Sequence, residues 1–127
     1  LILLKGVKRM SKVIHFEIPA DDPEKLSKFY QEVFNWKINK WGNQDYWLVD
    51  AGPKEEPGAS GAIYKKDWMT TTVNTINVDD VDAYVEKIKA AGGEIVREPM
   101  EIPEVGRHAV AKDPQGNLFG IIKPLPM

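Results

Sequence analysis

A repeated order of strand and helix signals constrains this chain more than any other feature. The segment VIHFEIP, which starts at Val13, alternates apolar and polar residues as a half-buried strand does. Asp22 and Pro23 follow it with the residue types that begin a helix. The segment TVNTINV and Asp80 repeat this plan 58 positions later, counted from Asp22 to Asp80. The pattern therefore predicts two copies of one supersecondary unit.

The apolar residues that follow each start signal recur at helical spacing. We expect these residues to form the buried face of each helix, because positions three and four apart lie on the same side. In the first copy they are Leu26, Phe29, Tyr30, Val33 and Phe34, and in the second they are Val81, Tyr84, Val85 and Ile88. Gly92 and Gly93 end the second helix.

Three further strands follow each predicted helix. They are placed at Trp36–Trp41, Tyr46–Val49 and Gly61–Lys65, and then at Glu94–Arg97, His108–Ala111 and Leu118–Ile122. This predicts an α+β fold of two tandem β-α-β-β-β units, at residues 12–66 and 67–124, packed as a single domain of residues 12–127. A unit of about 55 residues buries too little surface to fold well alone. Residues 1–11 are interpreted as an N-terminal extension, from a tag or an upstream start.

Charge and composition exclude several classes of function. The formal net charge is −2, and the basic residues form no stripe of the kind that binds nucleic acid or a membrane surface. The chain has no cysteine, which excludes disulfides, thiolate nucleophiles and cysteine zinc sites. No signal peptide or membrane-spanning segment is predicted, so we expect a cytoplasmic protein.

The combined motifs resemble the vicinal oxygen chelate superfamily, which contains glyoxalase I, bleomycin-resistance proteins and extradiol dioxygenases. The resemblance rests on IHFEIPADDPEKLSKFYQEVFNW, INVDDVDAYVEKIKAAGG and DPQGNLFGI, in that order. It implies a cupped mixed β-sheet with the helices outside, a small-molecule cavity between the two sheets, and a homodimer.

The resemblance also implies where a divalent metal ion would bind. Family enzymes take His, Glu or Gln ligands from the first and last strands of each unit. His15 occupies the first of these positions, whereas Val73, Gly61 and Gly120 occupy the others and offer no donor atom. No metal cofactor is therefore expected. The alternative is a displaced site of His15, Glu17 and His108 that holds zinc, nickel, manganese or iron.

Several side chains are candidates for a functional site. His15 and Glu17 share one strand face and can exchange protons, so they are the candidate catalytic pair; a structural histidine and a paired carboxylate are the alternatives. The candidate ligand-binding residues are Asn77, Thr75, Trp47, Tyr64 and His108. Asn77 and His108 also suit structural roles, and the facing of Trp47 and Tyr64 is left open by the pattern.

The predicted function is metal-free binding of a small apolar or aromatic molecule in the inter-sheet cavity. The alternative is an enzyme, either a glyoxalase-like lyase or isomerase or a dioxygenase-type protein. Such an enzyme would use a displaced metal ion or proton transfer by His15 and Glu17 alone. The sequence leaves open whether a reaction is catalysed.

Overall fold

The predicted order of one strand, one helix and three strands occurs twice along the chain. The structure is a computed structural model and describes residues 11–126. The elements are β1 (Val13–Ala20), α1 (Pro23–Phe34), β2 (Lys37–Lys40), β3 (Tyr46–Asp50), β4 (Ser60–Lys65), β5 (Val73–Asn77), α2 (Val81–Ala90), β6 (Glu94–Ile102), β7 (Gly106–Lys112) and β8 (Leu118–Pro124). The α+β fold of two β-α-β-β-β repeats is thereby confirmed. The proposed N-terminal extension lies outside the described residues, except for Ser11.

The chain divides into two compact units. The first unit is Val13–Thr75, and the second contains residues 76–126 together with residues 11 and 12. The division falls inside β5, which belongs to neither unit alone. Neither helix of residues 11–126 has the length and apolar character needed to cross a bilayer.

In the first unit, the strands lie in the order β2-β3-β4-β1. β1 and β4 run parallel, with Glu17 opposite Ala62, and the other neighbours are antiparallel. α1 covers one face of this sheet, where Ala20, Ile38, Trp47, Val49 and Ile63 form the core. Because strand side chains alternate, the intervening residues point away from α1. This second face, which we call the polar face, carries His15, Glu17, Tyr46, Leu48, Ala62 and Tyr64.

The start of α1 follows its sequence signals closely. The Asp22 side chain accepts a hydrogen bond from the backbone N–H of Lys25, and Pro23 occupies the first helical turn. Asn35 ends the helix in the left-handed conformation, with φ of 58°.

The predicted buried face of α1 was partly wrong. Leu26 and Tyr30 pack on the core, but Phe29, Val33 and Phe34 are 53%, 55% and 56% exposed. The helix instead turns Pro23 and Ser27 toward the sheet. Ser27 can be buried there because its hydroxyl donates to the carbonyl of Pro23 at 2.7 Å. The aromatic rings of Phe34 and Tyr30 pack against Trp36 at the end of the helix.

The second unit contains an antiparallel sheet of β6, β7 and β8. Its core consists of Val78, Val81, Val85, Ala109 and Ile121, with Tyr84 and Ile88 packed against it. The predicted buried face of α2 is therefore confirmed. Asp80 caps this helix through the backbone N–H of Ala83, as Asp22 caps α1. The sheet face away from α2 carries Arg97, His108, Val110, Gly120 and Ile122.

Candidate functional site

Three polar side chains of the polar face form one hydrogen-bonded network. His15 Nε2 lies 2.9 Å from the hydroxyl of Tyr46. Glu17 lies near the same hydroxyl, and its carboxylate raises the pKa of Tyr46 through its charge and as a hydrogen-bond acceptor. A tyrosine hydroxyl has one hydrogen, and a carboxylate can only accept. The order of donation is therefore His15 Nε2–H to Tyr46 and Tyr46 O–H to Glu17.

Strand register explains why these residues meet. His15 and Glu17 stand two residues apart on β1, and β4 separates that strand from β3, which carries Tyr46. The β4 residue opposite Glu17 is Ala62, which is fully buried. Its small side chain leaves the Tyr46 ring space to reach across roughly 10 Å, the span of two strand spacings. A larger residue at position 62 would obstruct this network.

Burial sets the protonation of the network. Desolvation lowers the pKa of His15 below its ordinary value of 6.5, although the charge of Glu17 opposes this shift. Desolvation, with the charge and hydrogen bond of Glu17, raises the pKa of Tyr46 far above its ordinary value. His15 and Tyr46 are thus neutral at pH 7, so Glu17 has no cationic partner in this network.

The two aromatic residues predicted as ligand walls lie on opposite sides of the sheet. Tyr64 lies on the polar face, and its hydroxyl donates to the carbonyl of Thr71 at 2.8 Å. Desolvation and the charges of Glu17 and Asp67 raise the pKa of Tyr64 to about 12. Trp47 is 8% exposed in the core beneath α1, so the side chain whose facing the sequence left open lies on the helix side of the sheet. Alternation along β3 puts Trp47 on the face opposite Tyr46.

Two residues of this site were missed by the sequence analysis. Tyr46 and Trp41 were placed only at the ends of predicted strands, without a functional role. Trp41 packs edge-on against Tyr46 at 5.7 Å between ring centroids and remains 37% exposed. The strand alternation of β3 was the signal that could have paired Tyr46 with the polar face.

The two candidates on β5 have different surroundings. Thr75 is 1% exposed, and its hydroxyl has no hydrogen-bond partner among the described residues. The Asn77 side chain accepts a hydrogen bond from the backbone N–H of Lys12 at 2.9 Å, the structural role considered for it. Their binding of a ligand stays a prediction.

His108 lies in the second unit and is paired with an arginine. It is 8% exposed, and its Nδ1 is 2.6 Å from Nη2 of Arg97. Arginine has no acceptor atom, so Nδ1 of His108 accepts and carries no proton. The sequence analysis gave Arg97 no role, because it lay at the end of a predicted strand without a motif.

The side chains at the family's metal positions do not fit a metal ion. His15 lies on the polar face, but Gly61 pairs with Phe16 on the α1 side, where an added Cβ would collide with the Phe16 carbonyl oxygen. Ala62 is the β4 residue on the polar face, so the assignment to Gly61 was wrong by one residue. Ala62, Val73 and Gly120 all lack a donor atom. Among residues 11–126, no three or more His, Asp or Glu side chains form a group that could hold a metal ion.

Comparison with known proteins gives a consistent picture. Residues 12–121 match the model of the glyoxalase/bleomycin resistance protein/dioxygenase superfamily. A Mycobacterium tuberculosis protein named as a glyoxylase, CFP32, is 34% identical over 94% of this chain and 47% of its own length. A Vibrio parahaemolyticus protein named as a lactoylglutathione lyase is 28% identical over 88% of this chain and 90% of its own. The chain thus spans about half the length of the mycobacterial relative.

Solved structures share the fold at low sequence identity. The methylmalonyl-CoA epimerase of Mycobacterium tuberculosis superposes with a TM-score of 0.68 and 15% identity, over 98% of this chain and 94% of that one. At this identity the similarity establishes the fold alone. Together with the family match, it confirms the glyoxalase-like fold that the resemblance implied.

Proposed function

Because the chain belongs to the glyoxalase/bleomycin resistance protein/dioxygenase superfamily, we propose that it binds a small apolar or aromatic molecule without a metal ion. The proposed site is the polar face of the first unit. The observation that carries this proposal is the network of His15, Tyr46 and Glu17. In that network, the one donor retained at a family metal position is already engaged by a tyrosine hydroxyl.

The chemistry of the donors supports a metal-free site. A catalytic zinc ion takes about three protein ligands and a water molecule. Only His15 of the family positions has a side chain that can coordinate, since Val73, Ala62 and Gly120 are apolar. The hydrogen bond to Tyr46 also occupies Nε2 of His15. A metal ion would have to displace that bond and find its remaining ligands elsewhere.

The surroundings of the network favour an apolar ligand with one polar group. Leu48 lies on the same face and is 43% exposed, and Trp41 presents a partly exposed ring beside Tyr46. Flat and apolar side chains contribute contact area, whereas a few fixed polar groups orient the ligand. His15 and Tyr46 can serve as those groups, because the network holds their positions before any ligand arrives.

Metal analysis tests the first half of the proposal. We expect purified protein to carry no stoichiometric metal, and calorimetric titration with zinc, nickel, manganese or iron(II) to give the same weak heats for wild type and His15→Ala. One metal ion per chain in the wild type, lost in His15→Ala, would overturn the metal-free site. It would direct the search to the displaced site.

Ligand titration tests the second half. The probe is 1-naphthol, a neutral aromatic molecule with one hydroxyl. Its binding is measured by the quenching of tryptophan fluorescence. We expect Tyr46→Phe to weaken its binding about tenfold, which corresponds to about 1.4 kcal/mol. Tyr84→Phe is the matched control, because Tyr84 lies on α2 of the second unit. Equal affinities for 1-naphthol in the wild type, Tyr46→Phe and Tyr84→Phe would mean that it binds away from the network.

A second candidate function is proton transfer in a lyase or isomerase reaction. It is favoured by the neutral state of His15 and its connection through Tyr46 to Glu17, since a neutral imidazole can accept a proton. A relative is named as a lactoylglutathione lyase. The test is whether chelator-treated protein forms lactoylglutathione. A rate that falls by a factor of about 100 or more in His15→Ala would favour this function over binding alone.

The assembly and location of the protein also remain proposals. We propose a homodimer, as the family resemblance implies, and a cytoplasmic protein that binds a small molecule and not nucleic acid. Sedimentation velocity measures the assembly directly. A species of 14.3 kDa at all concentrations would contradict the dimer.

A further inference from the structure

One face of the second unit holds a cation among apolar residues. On this face, Arg97 of β6 pairs with Val110 of β7, and Val110 pairs with Gly120 of β8. The neighbouring row contains Met100, His108 and Ile122. Arg97 and His108 are thus the polar side chains in these two rows, and Arg97 carries the charge.

The charge of Arg97 has no counter-charge among the described residues. The ion pairs of residues 11–126 involve Lys66, Lys89 and Arg107, and none involves Arg97. Its Nε is buried and has no hydrogen-bond partner within residues 11–126. A partly buried charge with an imidazole nitrogen as its acceptor and no carboxylate nearby is costly, because these contacts replace less of the solvation free energy than burial removes.

Arg107 shows the contrasting arrangement in the same sheet. Its guanidinium contacts both carboxylate oxygens of Asp82, at 2.7 and 2.8 Å, and one of Glu101 at 3.2 Å. The second unit therefore supplies carboxylates to Arg107 and none to Arg97, whose Nε is buried.

His108 holds the arginine in place. Nη2 of Arg97 donates to Nδ1 of His108 at 2.6 Å, so the remaining proton of the neutral imidazole is on Nε2. This contact restrains the guanidinium, which carries further N–H groups besides the one that His108 accepts. A preformed, planar pair of donors suits a carboxylate, which accepts two parallel hydrogen bonds from one guanidinium.

We propose that Arg97, positioned by His108, binds the carboxylate group of a small molecule whose apolar part contacts Met100 and Ile122. One guanidinium matches the single charge of a carboxylate. A phosphate monoester carries nearly two charges at pH 7 and would keep one unpaired. This inference rests on the second unit alone and does not depend on the proposed function of the first.

Titration with a matched pair of probes tests the proposal. Hexanoate and its neutral analogue hexanamide are added to the full chain, and binding is followed by backbone amide NMR shifts. We expect saturable hexanoate shifts in β6, β7 and β8, and an affinity at least tenfold lower for hexanamide. Arg97→Gln should lose hexanoate binding at least tenfold, whereas the control Arg107→Gln should keep it.

A third variant covers the case in which Arg97→Gln does not fold. Arg97→Lys keeps the charge but not the planar fork, so it should bind hexanoate several-fold more weakly than the wild type. Equal affinity for hexanoate and hexanamide, or undiminished binding in Arg97→Lys together with Arg97→Gln, would overturn the proposal. Competition by inorganic phosphate that requires Arg97 would overturn the assignment to a carboxylate.

Discussion

At the scale of single residues, Tyr46 is the side chain on which the first-unit site depends. Its hydroxyl accepts from His15 and donates to Glu17, so one atom satisfies two partly buried polar groups. Neither partner has another side-chain hydrogen bond within the described part of the chain. Removing this atom leaves a donor and an acceptor unsatisfied together.

The first residue-scale prediction concerns this hydroxyl. Tyr46→Phe should lower the free energy of unfolding by about 1–3 kcal/mol, because buried partners lose a hydrogen bond without regaining water. Urea denaturation measures the change. Tyr84→Phe provides the control, since its hydroxyl makes a long 3.4 Å contact with Ser11 at an exposed site. Equal losses in the two variants would mean that Tyr46 stabilises the fold through its ring and not through the network.

Local sequence patterns predicted some of these residues and not others. Alternation along β1 correctly placed His15 and Glu17 on one face. The partner Tyr46 comes from a strand two positions away in the sheet, and that proximity depends on register, which no local pattern encodes. The error at Gly61 has the same cause. Its parallel pairing with Phe16 became evident only when β1 and β4 were aligned.

At the scale of elements, the helix starts were the most predictable feature. Asp22 and Asp80 occupy equivalent positions in the repeat, and each accepts a backbone N–H three residues later, at 3.1 and 3.0 Å. The buried side of α1 was less predictable, because its apolar residues cover more of the helix than the sheet can bury. Phe29, Val33 and Phe34 fit the helical period and nevertheless remain exposed.

The element-scale prediction uses the two caps as a pair. Asp22→Ala and Asp80→Ala should each lower the free energy of unfolding by about 1 kcal/mol, because each removes an acceptor for the first turn of a helix. Asp79→Ala is the control, since Asp79 precedes the cap of α2 and has no hydrogen bond of this kind. Urea titration followed by circular dichroism gives all three values. A loss in Asp79→Ala as large as in Asp80→Ala would indicate a general charge effect.

At the scale of the whole molecule, shifted ionisations should restrict maximal stability to a range of pH. The lowered pKa of His15 means that the folded protein binds fewer protons than the unfolded chain below pH 6.5. Stability is therefore lost as the pH falls through this region. Hydrogen bonds lower the pKa values of Asp82 and Asp113, from Arg107 and Asn117 respectively, so further stability is lost at more acidic pH.

The tyrosines set the alkaline limit of the pH range in which the folded protein is most stable. The pKa values of Tyr46 and Tyr64 are raised above 10.0, so the folded protein keeps protons that the unfolded chain releases. The stability they contribute is present below pH 10 and is lost as the pH rises above it. The free energy of unfolding should accordingly be greatest between about pH 7 and pH 9.5, and fall on both sides.

Urea titrations from pH 4.5 to pH 11 test this dependence on pH, and two variants assign its limits. His15→Gln should reduce the fall in the free energy of unfolding between pH 7 and pH 5. The binding of one proton changes that free energy by at most about 1.4 kcal/mol per pH unit. Tyr64→Phe should reduce the alkaline decline and leave the acidic one unchanged, because a phenylalanine has no proton to lose. An acidic decline of the same slope in wild type and His15→Gln would mean that His15 does not titrate differently in the folded and unfolded chains. In that case, the neutral imidazole required for proton transfer to His15 would lose its support.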